Sequence, residues 1–105
     1  MTADDVSGLI SRVALRDRAA FDRLYQLTSA KLFAVCMRIL RERSEAEDAL
    51  QEVYVRVWGR AERFAVSDAS PISWLIAIAR NHCIDRIRAR KAPAVNLDDA
   101  LEIAD

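Results

Sequence analysis

Glycine and proline are scarce in this chain, with two of each among 105 residues. Few positions can therefore make the tight turns that a many-stranded sheet needs, and long helices are favoured. Histidine is scarcer still: His82 stands alone, which excludes a two-histidine metal site and any paired-histidine mechanism. No glycine-rich loop precedes a helix, so the usual phosphate cradle is missing. The two cysteines, Cys36 and Cys83, lie far apart among apolar residues with no Cys-x-x-Cys spacing, and read as buried free thiols in a reducing compartment. No apolar run reaches membrane-spanning length, and no basic stretch leads into an apolar one at the N-terminus. The expectation is a cytoplasmic protein without membrane insertion, cofactor or metal, and not an enzyme, because no nucleophile, base and orienting group stand in a recognisable arrangement.

What is present is apolar and charged: 52% hydrophobic and 30% charged residues, enough for one globular domain of this length. The formal net charge of zero conceals segregation. Residues 44–52 carry four acids and no base; residues 71–91 carry Arg80, Arg86, Arg88, Arg90 and Lys91 against Asp85 alone; residues 92–105 carry four acids and no base. Charge sorted in this way speaks about partners more than the total does.

The apolar periodicity predicts a compact all-α bundle of four helices. The first spans about residues 4–15, with Val6, Leu9, Ile10 and Val13 on one stripe. Asp17 reads as the N-cap of a second helix reaching about Leu40, whose buried face includes Phe21, Leu24, Tyr25, Thr28, Leu32, Val35, Cys36 and Ile39. Ser44 with Glu47 fits a capping box opening a third helix that buries Ala46, Leu50, Val53, Val57 and Ala61. Asp48, Gln51, Glu52 and Val55 fall on the opposite side, toward water or a partner. The period breaks over 62–70 and restarts at Ser70-Pro71, since serine caps well and proline suits the first helical position. The fourth helix buries Ile72, Leu75, Ile76, Ala79, Cys83 and Ile87, with His82 at the edge of its basic flank, and Pro93 ends it.

A helix with arginines on one flank can neutralise backbone phosphates, and only Asp85 is at hand to balance this one. The amide of Asn81 offers a donor and an acceptor together, as a base edge requires. The loop before the helix, from Phe64 through Val66, Ser67 and Asp68 to Ser70, combines an aromatic, small residues and a carboxylate, a composition suited to receiving an unstacked base.

At these residues the chain resembles a known family. The stretch Asp48-Ala49-Leu50-Gln51-Glu52-Val53-Tyr54-Val55-Arg56-Val57-Trp58 is similar to a polymerase-binding segment of bacterial sigma-70-type transcription initiation factors. Trp74-Leu75-Ile76-Ala77-Ile78-Ala79-Arg80-Asn81, continuing through Ile84-Asp85-Arg86-Ile87-Arg88, looks like the corresponding stretch of the extracytoplasmic-function (ECF) subgroup. With Ala20-Phe21-Asp22-Arg23-Leu24-Tyr25 upstream, the likeness covers about residues 8–91. It implies a helical domain called region 2, binding the clamp helices of the largest subunit of core RNA polymerase and capturing the non-template single strand of the promoter −10 element. Carried over by position, Asp48, Gln51 and Glu52 match the polymerase-facing motif, beside the exposed Val55. Asn81 and the 64–70 loop match the base-reading surface, and Arg80, Arg86, Arg88 and Arg90, with Lys91 beyond, the phosphate-facing cations. An anti-sigma factor is a further implied partner.

Two departures shape these expectations. Members of the family carry a second helical domain reading the −35 element, which residues 92–105 cannot form. The sequence therefore reads as a domain over 1–91 followed by an acidic linker over 92–105, as in a fragment of a longer factor. Trp74 also stands nearly alone where primary sigma factors cluster aromatics, so strand opening by this domain is expected to be weak. An alternative is a sigma-like decoy that binds an anti-sigma factor without engaging DNA; another is a plain helical interaction domain. Retention of Gln51-Glu52 together with Asn81 favours the first reading.

Overall fold

The computed structural model describes residues 5–91. It contains α1 (Val6–Ala14), α2 (Arg18–Leu40), α3 (Arg43–Phe64) and α4 (Pro71–Lys91), with no strand among the described residues. Each start has a chemical cause. The Asp5 carboxylate accepts from the Ser7 N–H at 3.2 Å, and that of Asp17 from the Ala20 N–H at 3.1 Å. The Ala20 bond, with help from Arg12, holds the Asp17 carboxyl below the usual range. Ser70 caps α4 by accepting from the Ser73 N–H at 3.3 Å, one residue before Pro71.

The shortage of glycine shows at the helix ends. Arg16 and Arg41 take left-handed backbone conformations (φ 67° and 66°) that glycine normally fills. Arg41 still closes α2, its N–H reaching the Met37 carbonyl at 2.8 Å. Arg16 spends its side chain on a distant element: its guanidinium donates to the Trp58 carbonyl and lies 5.1 Å from the centre of that indole ring.

α2 contacts the other three helices and forms the spine of the bundle. The main core joins Leu9, Ile10 and Val13 of α1 to Leu24 and Leu32 of α2, Val53 and Val57 of α3, and Leu75 and Ala79 of α4. A smaller cluster of Cys36, Leu40, Ala46, Ala49 and Cys83 draws α2, α3 and α4 together, its small side chains allowing close approach. Burial, reinforced by the neighbouring Cys83, pushes the Cys36 thiol up to about 12, and burial raises Cys83 as well. Both are free and packed away, as the sequence predicts.

Four expectations need correction. The capping box of Ser44 and Glu47 does not form. Instead the Glu42 carboxylate accepts from the Glu45 N–H (2.9 Å) and the Ser44 hydroxyl (2.7 Å), so α3 begins at Arg43. Glu47 pairs with Arg43, one turn back, at 3.1 Å. Second, α3 runs on to Phe64, past the expected break at 62. Third, Tyr25, assigned to the buried face of α2, is 41% exposed. Fourth, His82, placed at the edge of the basic flank, is buried, at 8%. The segment 92–105, read as a linker, lies outside the described residues.

Candidate nucleic-acid and partner interfaces

α3 turns Asp48, Gln51, Glu52 and Val55 outward, as periodicity requires, and Val55 is 71% exposed. An isolated exposed valine needs no explanation, but this one borders an apolar groove between α2 and α3. The groove is lined by Arg18, Phe21 and Tyr25 from α2 and by Gln51, Tyr54, Val55 and Trp58 from α3. Its aromatic walls are held edge-on: Phe21 against Trp58 (5.2 Å between ring centres) and Tyr25 against Tyr54 (4.7 Å). Burial pushes the Tyr54 phenol up to about 12, and its hydroxyl bonds Thr28, which also donates to the Leu24 carbonyl at 2.7 Å.

On α4, Arg80, Asn81, Arg88 and Lys91 are exposed. Asn81 and Arg88 stand seven residues apart and so lie nearly in line along the helix. Arg80 enters a second groove, between α2 and α4, with Lys31 and Arg38 as further cations over a floor that includes Val35, Ile39 and Ile76. Its volume of about 410 Å³ falls within the range of small-ligand sites.

The remaining cations are engaged. Arg86 donates to the Glu52 carboxylate at 2.8 Å, and Arg90 to Glu45 at 2.7 Å. The view that only Asp85 balances the basic helix is therefore incorrect, since α3 supplies two more carboxylates from across the interface. The acidic and basic flanks abut along one seam; they are not separated by the width of the bundle. The same Glu52 oxygen also meets His82 Nε2 at 2.5 Å. The His82 bond, then Arg86, hold the Glu52 carboxyl below its usual range.

The loop before α4 is tighter than its composition suggests. Phe64, half-buried, leans on Trp74 with ring centres 5.6 Å apart, so its ring is engaged in packing. The Ser67 N–H and hydroxyl both reach the Phe64 carbonyl, at 3.0 and 2.9 Å. Val66, 86% exposed, and Asp68 point to solvent.

Sequence reading missed the contribution of α2 to both grooves, having spent its periodic residues on the core. The signal was present in the spacing. Arg18, Phe21 and Tyr25 form one helical line, and Lys31, Val35 and Arg38 form another. Among the described residues, no cluster of three or more His, Cys, Asp or Glu could hold a metal ion, and no helix is long and apolar enough to cross a membrane.

The sequence itself has relatives among known proteins. Residues 24–92 match the family described as Sigma-70 region 2. The chain is 32% identical over 109 residues to the ECF RNA polymerase sigma factor SigK of Mycobacterium tuberculosis, a match covering 96% of this chain and 58% of that protein. It is 32% identical over 90 residues to SigK of Mycobacterium ulcerans, covering 86% of this chain and 48% of the relative. To SigK of Mycolicibacterium vanbaalenii it is 34% identical over 88 residues, covering 84% and 45%. The chain belongs to the sigma-70 family, as a region 2 domain with ECF sigma factors as its relatives. It spans about half the length of the curated relatives it matches.

Proposed function

We propose that this domain acts in transcription initiation by docking on the clamp helices of core RNA polymerase and holding the unpaired non-template strand of a promoter −10 element. The observation that carries the DNA half is the outward flank of α4. Arg80, Asn81 and Arg88 are exposed there without a carboxylate partner among the described residues, beside the groove in which Arg80 joins Lys31 and Arg38. Apolar floor and cationic rim together suit a nucleic-acid strand, whose bases are flat and apolar and whose backbone is anionic. Val66 and Asp68 extend this surface along the loop, and Lys91 along the helix.

The polymerase half rests on α3. Asp48 and Gln51 present polar atoms next to the aromatic groove, with Val55 as an apolar anchor, a mixture suited to an amphipathic helix carrying basic residues. An anti-sigma factor competing with polymerase would meet the same face.

The mechanism is capture rather than chemistry. Extruding a base costs a few kcal/mol of stacking, which contacts to the open strand must offset. A protein that binds the open strand better than the duplex shifts the opening equilibrium by that difference alone.

The test is fluorescence anisotropy with a −10-like single strand and a scrambled one, at two salt concentrations. Wild type binds the matched strand more tightly, and affinity falls steeply with salt. Asn81→Ala loses about 1–3 kcal/mol of discrimination, the worth of a two-point base contact, while keeping the salt dependence. Equal affinities for all four protein–strand combinations would remove base reading. Absence of both DNA affinity and clamp binding would favour the decoy.

A further inference from the structure

We propose that Glu52 is a positioning residue for the DNA-reading helix, acting through His82 and Arg86. This rests on the reading of Asn81 given above and assigns Glu52 a task other than gripping polymerase. One carboxylate oxygen of Glu52 accepts from Arg86 Nη1 at 2.8 Å and meets His82 Nε2 at 2.5 Å. His82 and Arg86 are one turn apart on α4, so a single group on α3 ties two successive turns of its neighbour. Glu45 and Arg90 repeat the tie two turns away, in the antiparallel sense that the two helices demand.

The environment of His82 gives this contact its leverage. The ring is buried, and its Nδ1 is enclosed with no hydrogen-bond partner. Among the described residues Glu52 is therefore the only group bonding the imidazole; Glu52 is itself half exposed, so its loss opens Nε2 to water and releases His82 and Arg86 together from α3. Without that tie α4 is free to rotate or shift against α3. Asn81 immediately precedes His82 and is exposed, so such a rotation swings its amide directly. Asp48, Gln51 and Val55, on α3 itself, do not depend on that contact.

Two substitutions separate the roles. Glu52→Ala removes the acceptor. Glu52→Gln keeps an isosteric oxygen able to accept from Arg86 and to meet a suitable His82 tautomer. Three readouts are needed: the ratio of affinities for matched and scrambled single strands, recovery on a polymerase clamp-helix fragment, and the amide cross-peaks of Asn81 and His82 in a ¹⁵N–¹H spectrum. Asp48→Ala serves as the control for clamp binding. Glu52→Ala is expected to lower the affinity ratio about tenfold, the scale of a lost charge-assisted hydrogen bond, with clamp recovery unchanged. Glu52→Gln restores most of the ratio. Loss of clamp recovery in Glu52→Ala with the ratio intact overturns the proposal and returns Glu52 to the polymerase face. Should wild type itself not discriminate between strands, the reading of Asn81 fails separately. The positioning claim is then decided by the cross-peaks, which Glu52→Ala must move and Glu52→Gln must largely leave in place. Cross-peaks unmoved by Glu52→Ala overturn it in every case.

Discussion

At the scale of single residues, Thr28 shows how a polar group is placed in this core. It is buried, donates to the Leu24 carbonyl at 2.7 Å, and bonds the Tyr54 hydroxyl across the α2–α3 interface. The two partners are not equivalent. Thr28→Val strands a phenol hydroxyl in a buried position, whereas Tyr54→Phe leaves Thr28 bonded to Leu24. Urea unfolding is expected to show Thr28→Val costing about 1–3 kcal/mol and Tyr54→Phe clearly less. The sequence could mark Thr28 as a core position by spacing. It could not show that its hydroxyl meets Tyr54, because 26 residues separate them. His82 teaches the same lesson in reverse. Its polarity suggested an edge, yet Glu52 from another helix satisfies one nitrogen and lets the ring enter the interior.

At the scale of elements, caps and periods were legible wherever the deciding contacts are local. Asp17 and Ser70-Pro71 open α2 and α4 where the sequence places them, because an N-cap needs only the next three residues. The start of α3 was misplaced for a local reason too: glutamate is an uncommon cap, and the better-known pattern at Ser44 competes with it. The left-handed Arg41 before that start is a strained solution where glycine is the usual one. Arg41→Gly relieves a conformation costing about 1–2 kcal/mol and returns some of this through a freer unfolded chain. The expected net gain is about 0.5–1 kcal/mol, visible as a higher midpoint in thermal or urea unfolding. A lower midpoint would mean that the arginine side chain contributes more than its backbone costs. The grooves were less legible than the helices, since each is made by two elements and neither line of side chains has meaning alone.

At the scale of the whole molecule, the pairing of α3 with α4 ties acid stability to the candidate site. The carboxyls of Asp17, Glu42 and Glu52 are all held below their usual range in the folded domain. A depressed carboxyl stabilises the fold above its unfolded value, about 4, and that contribution is lost as pH falls through the folded one. Urea midpoints are therefore expected to drop from pH 5 toward pH 3, beyond what net charge alone would give. Glu52→Gln removes one of the three titrations and gives a shallower drop. Glu42 is exposed and Asp17 partly so, which keeps their share small. An unchanged pH slope in Glu52→Gln would mean that the contact with His82 and Arg86 carries no net stability in solution.

Family membership accounts for the bundle, and the arrangement of its faces supports one domain serving two partners together. That is tested most directly by a ¹⁵N–¹H titration of the protein, first with a −10-like single strand and then with a clamp-helix fragment. The strand should move resonances of Lys31, Arg38, Val66, Arg80 and Asn81, and the fragment those of Asp48, Gln51 and Val55, with both ligands bound at the end. Displacement of the strand by the fragment, or one shared set of shifted residues, would contradict it.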